Sequence, residues 1–125
     1  MILPYQMIKH LCETENLIVP YCERTNFNGM SYGIGPASYD VRIAQDLYMA
    51  PGEFKLASTV EKVNIPDDVC AHVADKSSWA RKGLSLFNTF FDPGFIGYPT
   101  LELYNSSKHT IYIPKTLYTL SSILA

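Results

Sequence analysis

Lys76-Ser77-Ser78-Trp79-Ala80-Arg81-Lys82-Gly83-Leu84, Asp92-Pro93-Gly94-Phe95-Ile96-Gly97 and Thr100-Leu101-Glu102-Leu103-Tyr104-Asn105 follow one another closely. They set the pattern of the chain: a polar turn, a Pro-Gly turn and a short alternating strand. Reading outward in both directions, the same texture repeats. Strand-like runs are expected at Ser38 to Ile43, Glu53 to Ser58, Glu61 to Ile65, Val69 to Ala74, Leu84 to Phe91, Thr100 to Tyr104 and Thr110 to Ile113. Pro51-Gly52, Pro66-Asp67-Asp68 and Asp92-Pro93-Gly94 punctuate them as turns. Gly29, Gly33, Gly35 and Pro36 break up the stretch before Ser38. Many short strands at this spacing predict a mainly β sandwich or barrel. One helix is expected, from Pro4 to about Glu15, where Met7, Ile8, Leu11 and Cys12 recur at helical spacing and Pro4 suits a first turn.

The chain has 125 residues, a length that suits one domain over 1–125, and it contains no internal repeat, low-complexity tract or linker. Ten Lys and Arg against twelve Asp and Glu give a net charge of −2, which argues against a nucleic-acid polymer or an anionic membrane surface as partner. No stretch approaches the roughly 18 to 20 apolar residues of a membrane span, and the N-terminus lacks a leader pattern, so a cytoplasmic protein is expected. Cys12, Cys22 and Cys70 are odd in number and unevenly spaced, which favours free thiols over a disulfide framework. Cys70 lies in an apolar strand pattern and is expected in the core.

Four features carry possible chemistry. Strand alternation sends Leu101 and Leu103 to one face and Thr100, Glu102 and Tyr104 to the other. Glu102 is then either an exposed strand glutamate or a general base in a partly desolvated pocket. Ser77 and Arg81 share a face if their segment forms a helical turn, with Lys76 at its start. Such a turn is either a solvated basic surface or a phosphate binder, to which its first N–H groups would add anion affinity. Trp79 reads as a packing residue rather than a stacking platform. Asp92-Pro93-Gly94 is explained by turn chemistry alone, yet Asp92 is also placed to accept a hydrogen bond from a sugar hydroxyl, and Phe95 to pack on a base or ribose. Asp40 is unusual in a strand and must find a partner, either Arg42 or a neighbouring loop.

With these residues in place, the chain resembles the trimeric dUTPase-like superfamily, and within it the dCTP deaminases, over essentially its whole length. The resemblance rests on Leu17-Ile18-Val19-Pro20, Gly35-Pro36-Ala37-Ser38-Tyr39-Asp40-Val41-Arg42, Leu56-Ala57-Ser58-Thr59-Val60-Glu61, Ile65-Pro66-Asp67-Asp68-Val69, the Lys-Ser-Ser-x-Ala-Arg-x-Gly-Leu run and Thr-Leu-Glu-Leu-x-Asn. It implies a distorted β-barrel of jelly-roll type with a short N-terminal helix, assembled as a homotrimer with sites between subunits. It further implies hydrolytic deamination of dCTP to dUTP, with Glu102 moving the protons and Ser77 and Arg81 orienting water and carboxylate. Lys76 and Ser78 would face the triphosphate, and its oxygens would carry Mg2+. Asp92 would read the deoxyribose. Asn88 and Thr89 would supply contacts that other deaminases draw from a longer segment, with Phe90 close by. The closing segment Pro114 to Ala125 lacks the family's glycine turn and terminal glutamine, and without the usual lid either the triphosphate is covered by other means or catalysis is weak. There is no His-x-Glu followed by Pro-Cys-x-x-Cys, so the zinc-water design of other deaminases is not expected. The alternatives are a dUTP diphosphatase, a bifunctional enzyme yielding dUMP, or a relative that binds without turnover.

Overall fold

The computed structural model describes residues 1–27, 30–87, 89–115 and 119–124. A helix α1 (Tyr5–Glu15) precedes β1 (Ile18–Val19), β2 (Thr25–Phe27), β3 (Met30–Ile34), β4 (Tyr39–Arg42), β5 (Leu47–Met49), β6 (Phe54–Ser58), β7 (Lys62–Asn64) and β8 (Ala71–Asp75). The single turn α2 (Ser77–Ala80) follows, then β9 (Leu84–Phe87), β10 (Phe90–Phe91), β11 (Ile96–Gly97), β12 (Thr100–Asn105), β13 (Ile111–Ile113) and β14 (Thr119–Leu124). The expected mainly β fold with one short N-terminal helix is therefore what forms. In α1, Ile8 and Cys12 are the buried pair one turn apart. Asn16 ends the helix in the left-handed conformation at φ 54°, a region that asparagine tolerates. Burial pushes the Cys12 thiol up to about 11, which makes it a packing group.

The strands are antiparallel throughout and form four sheets, in the orders β1-β7-β11, β10-β8-β14-β4-β3-β2, β6-β12-β9 and β13-β5. Val41, Met49, Val63, Val73, Leu103 and Ile113 come from all these sheets and are fully buried together. Two sequence readings are corrected here. Leu84 to Phe91 is two strands in different sheets: β9 pairs with β12, whereas β10 pairs with β8. Cys70 is exposed, because β8 starts at Ala71 and its alternation turns Ala71 and Val73 inward, leaving the residue before it outside. The glycine-broken stretch before Ser38 also holds β2 and β3, which periodicity did not reveal.

Asn105 locks the end of β12. Its Nδ2 donates to the carbonyls of Met49 and His109, both at 2.8 Å, and its Oδ1 accepts from the N–H of Ser107 at 2.9 Å and the hydroxyl of Ser107 at 2.7 Å. All four valences of a fully buried amide are satisfied. Asn105→Ala is expected to lower stability by about 1–3 kcal/mol, since it leaves buried carbonyls without donors. Urea unfolding would read this as a lower midpoint at unchanged m-value.

Candidate active site

β12 is the middle strand of the β6-β12-β9 sheet, and its alternation is realised: Leu101 and Leu103 are 1% and 0% exposed. Thr100, Glu102 and Tyr104 point the other way. In the row of Glu102 stand Leu56 of β6 and Phe87 of β9, at 58% and 51% exposure. The carboxylate is half-buried among apolar neighbours and has no hydrogen bond or ion pair among the described residues. A carboxylate so placed is free to accept a proton from a bound water.

The Asp92-Pro93-Gly94 turn forms one wall of the cleft over Glu102. The N–H of Phe95 donates to the Asp92 carbonyl at 3.1 Å, and Gly94 has φ 87°, the positive value that the third position of this turn requires. Two further bonds pin the turn to the body: Gly94 N–H donates to the Ile65 carbonyl at 2.9 Å, and Ile65 N–H to that of Phe95 at 2.8 Å. The Phe95 ring leans on Phe91 at 4.9 Å. The resulting cleft has a volume of about 510 Å³, and Thr89, Phe90, Asp92, Phe95, Thr100 and Glu102 are among its lining residues. Four of the residues singled out from the sequence, Thr89, Asp92, Phe95 and Glu102, thus meet in one place. Asn88 lies outside the described residues. Tyr98 and Thr100 also line the cleft and were not singled out. Thr100 shares Glu102's face of the strand, which was the available signal.

The polar turn forms as a helical turn. The N–H groups of Trp79 and Ala80 donate to the Lys76 carbonyl at 3.0 Å, and that of Arg81 to Ser77 at 3.0 Å. Trp79 is buried, with the Lys82 ammonium 4.9 Å above its ring. Ser77 and Arg81 are exposed. The Ser78 hydroxyl is buried and has no hydrogen-bond partner among the described residues, a state that normally calls for one. Lys76 departs from the expected outward orientation: its ammonium is turned onto Asp40 of β4 and the Ser31 hydroxyl of β3. That pairing gives Asp40 its partner in the connection between β8 and α2, the loop alternative, rather than in Arg42. Arg42 instead holds Glu61, donating from Nε to Oε2 at 2.8 Å, while its backbone N–H donates to Oε1 at 2.9 Å. None of Lys76 to Arg81 lines the cleft of Glu102. Within one chain the two halves of the expected site are separate.

Among the described residues no group of three or more His, Cys, Asp or Glu side chains converges to hold a metal ion. No helix among them is long and apolar enough to cross a membrane.

Known proteins resemble this chain in fold and in sequence. The EIAV dUTPase superposes with a TM-score of 0.64 at 23% identity, over 70% of this chain and 72% of that one. A mutant dUTPase from phage phi11 of S. aureus, described as coordinating a structural Mg(II) ion, superposes at 0.67 with 16% identity, over 84% and 83%. At such identities the likeness shows the dUTPase-like fold. In sequence, a dCTP deaminase of Campylobacter lari is 31% identical over 130 aligned positions, covering 80% of this chain and 70% of that protein. A dUMP-forming dCTP deaminase of Kocuria rhizophila is 49% identical over 69 positions, 52% of this chain and 36% of its own length. A dUMP-forming dCTP deaminase of Leifsonia xyli is 52% identical over 63, covering 31% of its length. The chain spans about a third of the length of these last two relatives. The family model described as dCTP deaminase-like matches residues 41–117. The chain belongs to the dCTP deaminase-like family.

Proposed function

We propose that the chain is one nucleotide-binding domain that deaminates dCTP, adding water and releasing dUTP and ammonia. The observation that carries this reading is Glu102, the one carboxylate on its face of β12, sharing a cleft with Asp92 and Phe95. Glu102 takes a proton from water, the resulting hydroxide adds to C4 of the cytosine ring, and the same carboxyl returns the proton to the departing amine. No zinc-bound water is required by this route. Asp92 accepts a hydrogen bond from the deoxyribose, Phe95 packs against the sugar or base, and Thr89 supplies a polar contact at the cleft wall. Ser77 and Arg81 orient the water and carboxylate, and the unpaired hydroxyl of Ser78 donates to a phosphate oxygen.

Because the Ser77–Arg81 turn and the Glu102 cleft do not coincide within one chain, the complete site needs a neighbouring copy, in agreement with a homotrimer. Mg2+ belongs to the nucleotide, bridging triphosphate oxygens as is usual for phosphate ligands. No described residue of the chain is assigned to it, and no step is routed through it. A cytoplasmic setting fits a substrate of this class. A second product is also consistent with the relatives, since those of highest identity named above are dUMP-forming.

The test is ion-exchange separation of products after incubation with dCTP and magnesium, and separately with dUTP. Conversion of dCTP to dUTP is the expected result, and dUMP from dCTP would add phosphate hydrolysis. If dUTP yields dUMP while dCTP is untouched, the chain is a diphosphatase. If neither changes, the enzyme reading is abandoned under those conditions, and a binding measurement decides whether the chain is a relative that binds without turnover.

A further inference from the structure

Lys76 follows β8 and opens α2, and it ties two distant parts of the fold together. Its ammonium pairs with the carboxylate of Asp40, at 17% and 9% side-chain exposure, and donates to the Ser31 hydroxyl at 3.1 Å. The strand order β8-β14-β4-β3 means that this side chain reaches across one whole strand to the two beyond it. Removing a carboxylate and an ammonium from water costs several kcal/mol unless the two meet in good geometry. An aspartate in mid-strand therefore needs a cation brought to it, and Lys76 is that cation. The Lys76 carbonyl in turn accepts from the N–H groups of Trp79 and Ala80, both at 3.0 Å. Whatever holds Lys76 thus sets the place of Ser77, Ser78 and Arg81.

We propose that Asp40, assisted by Ser31, is a positioning residue that acts through Lys76 to hold the Ser77–Arg81 turn where it receives the substrate's phosphates. The inference rests on the deaminase reading above. It differs from a direct role of Lys76 on the triphosphate in one respect that can be measured. If Lys76 touched phosphate, neutralising Asp40 would free the ammonium, and nucleotide binding would be unchanged or tighter. If Lys76 positions the turn, neutralising Asp40 weakens binding as much as removing Lys76 does.

The experiment uses the full chain and four proteins: wild type, Asp40→Asn, Lys76→Met and the double variant. It measures affinity for α,β-imido-dCTP by calorimetry, kcat and KM for dCTP, and amide hydrogen exchange across residues 77–82. Each single variant is expected to weaken the analogue and raise KM by roughly ten- to hundredfold, as for a misplaced binding element, with kcat falling less. The double variant is expected to be no worse than the weaker single, because both act through one contact. Exchange in 77–82 should quicken in Asp40→Asn while that of β12 does not change. Unchanged or tighter binding in Asp40→Asn, or additive losses in the double variant, overturns the proposal. If Lys76→Met fails to fold with the Asp40 charge left uncompensated by its ammonium, the double variant, which removes both charges, takes its place: binding as weak as that of Asp40→Asn supports the proposal, and binding at the wild-type level overturns it. If the wild type neither binds nor converts dCTP, the deaminase reading fails, and exchange alone decides whether Asp40 holds the turn, an unchanged rate in Asp40→Asn overturning it.

Discussion

Glu102→Gln is expected to lower kcat for dCTP by about 10²–10⁴, the range associated with loss of a positioned general acid or base. Glutamine keeps the length and shape of the side chain but cannot accept the proton of the attacking water. The strand tolerates the change, because Glu102 is on the outward face of β12 and makes no hydrogen bond or ion pair among the described residues. Stability should therefore stay within about 0.5 kcal/mol of the wild type, as for surface substitutions away from special features. The analogue α,β-imido-dCTP should still bind, since Asp92, Phe95 and the Ser77–Arg81 turn remain. Product separation and a thermal melt on the same preparation check both halves of the expectation. Undiminished conversion of dCTP would show that another group moves the proton.

Arg42→Ala has the largest expected effect on the fold itself. Glu61 is fully buried, and Arg42 meets it with one side-chain and one backbone N–H, at 20% and 0% side-chain exposure for Arg42 and Glu61 respectively. The Arg42 guanidinium also covers the Tyr32 ring at 4.7 Å. Removing the cation leaves a buried carboxylate that keeps the backbone donors of Arg42 and of Glu61 itself but no counter-charge, a change that costs about 3–5 kcal/mol. The loss depends on pH in a definite direction. Burial already pushes the Glu61 carboxyl above its usual 4.5, partly offset by the Arg42 backbone and side-chain contacts, and deleting the side-chain contacts raises it further. A carboxyl whose native value lies above its unfolded one takes up a proton on folding between the two values. Its contribution is then greatest at low pH and is lost as pH rises through the native value. The variant should consequently be closest to wild type at acidic pH and fall further below it as pH rises through the raised native value. Urea unfolding at a series of pH values checks this, and a deficit that does not vary with pH would show that Glu61 is already neutral in the native protein.

The same two residues show why part of this molecule was legible in the sequence and part was not. Strand period is a property of neighbouring residues, so the inward Leu101 and Leu103 and the outward Glu102 follow from the order of side chains alone. So does the helical turn at Ser77, whose bonds span four residues, and so does the Asp92-Pro93-Gly94 turn, where Gly94 takes a backbone angle that glycine reaches without strain. By contrast, the partners of Asp40 and Glu61 lie 36 and 19 residues away. Asp40 was expected to pair with Arg42 two residues on, or with a loop. Residues i and i+2 of a strand share one face, but Arg42 is drawn to Glu61, and the loop alternative is the one realised, because Lys76 lies in the connection between β8 and α2.

Sequence by itself determined a mainly β chain with one N-terminal helix, its turns, the face of each long strand, and the family motifs that single out Glu102, Ser77 and Arg81. The helix, turns and strand faces depend on dihedral preference and on side-chain spacing within a few residues, whereas the motifs single out their residues through resemblance to the family. Tertiary structure alone decided that Leu84 to Phe91 divides between two sheets, that Cys70 lies outside, and that Lys76 is an internal tie. It also separated the Ser77–Arg81 turn from the Glu102 cleft within a single chain. Those outcomes depend on which strands become neighbours, and that choice is made by burying many side chains at once, a sum that no local stretch of residues contains.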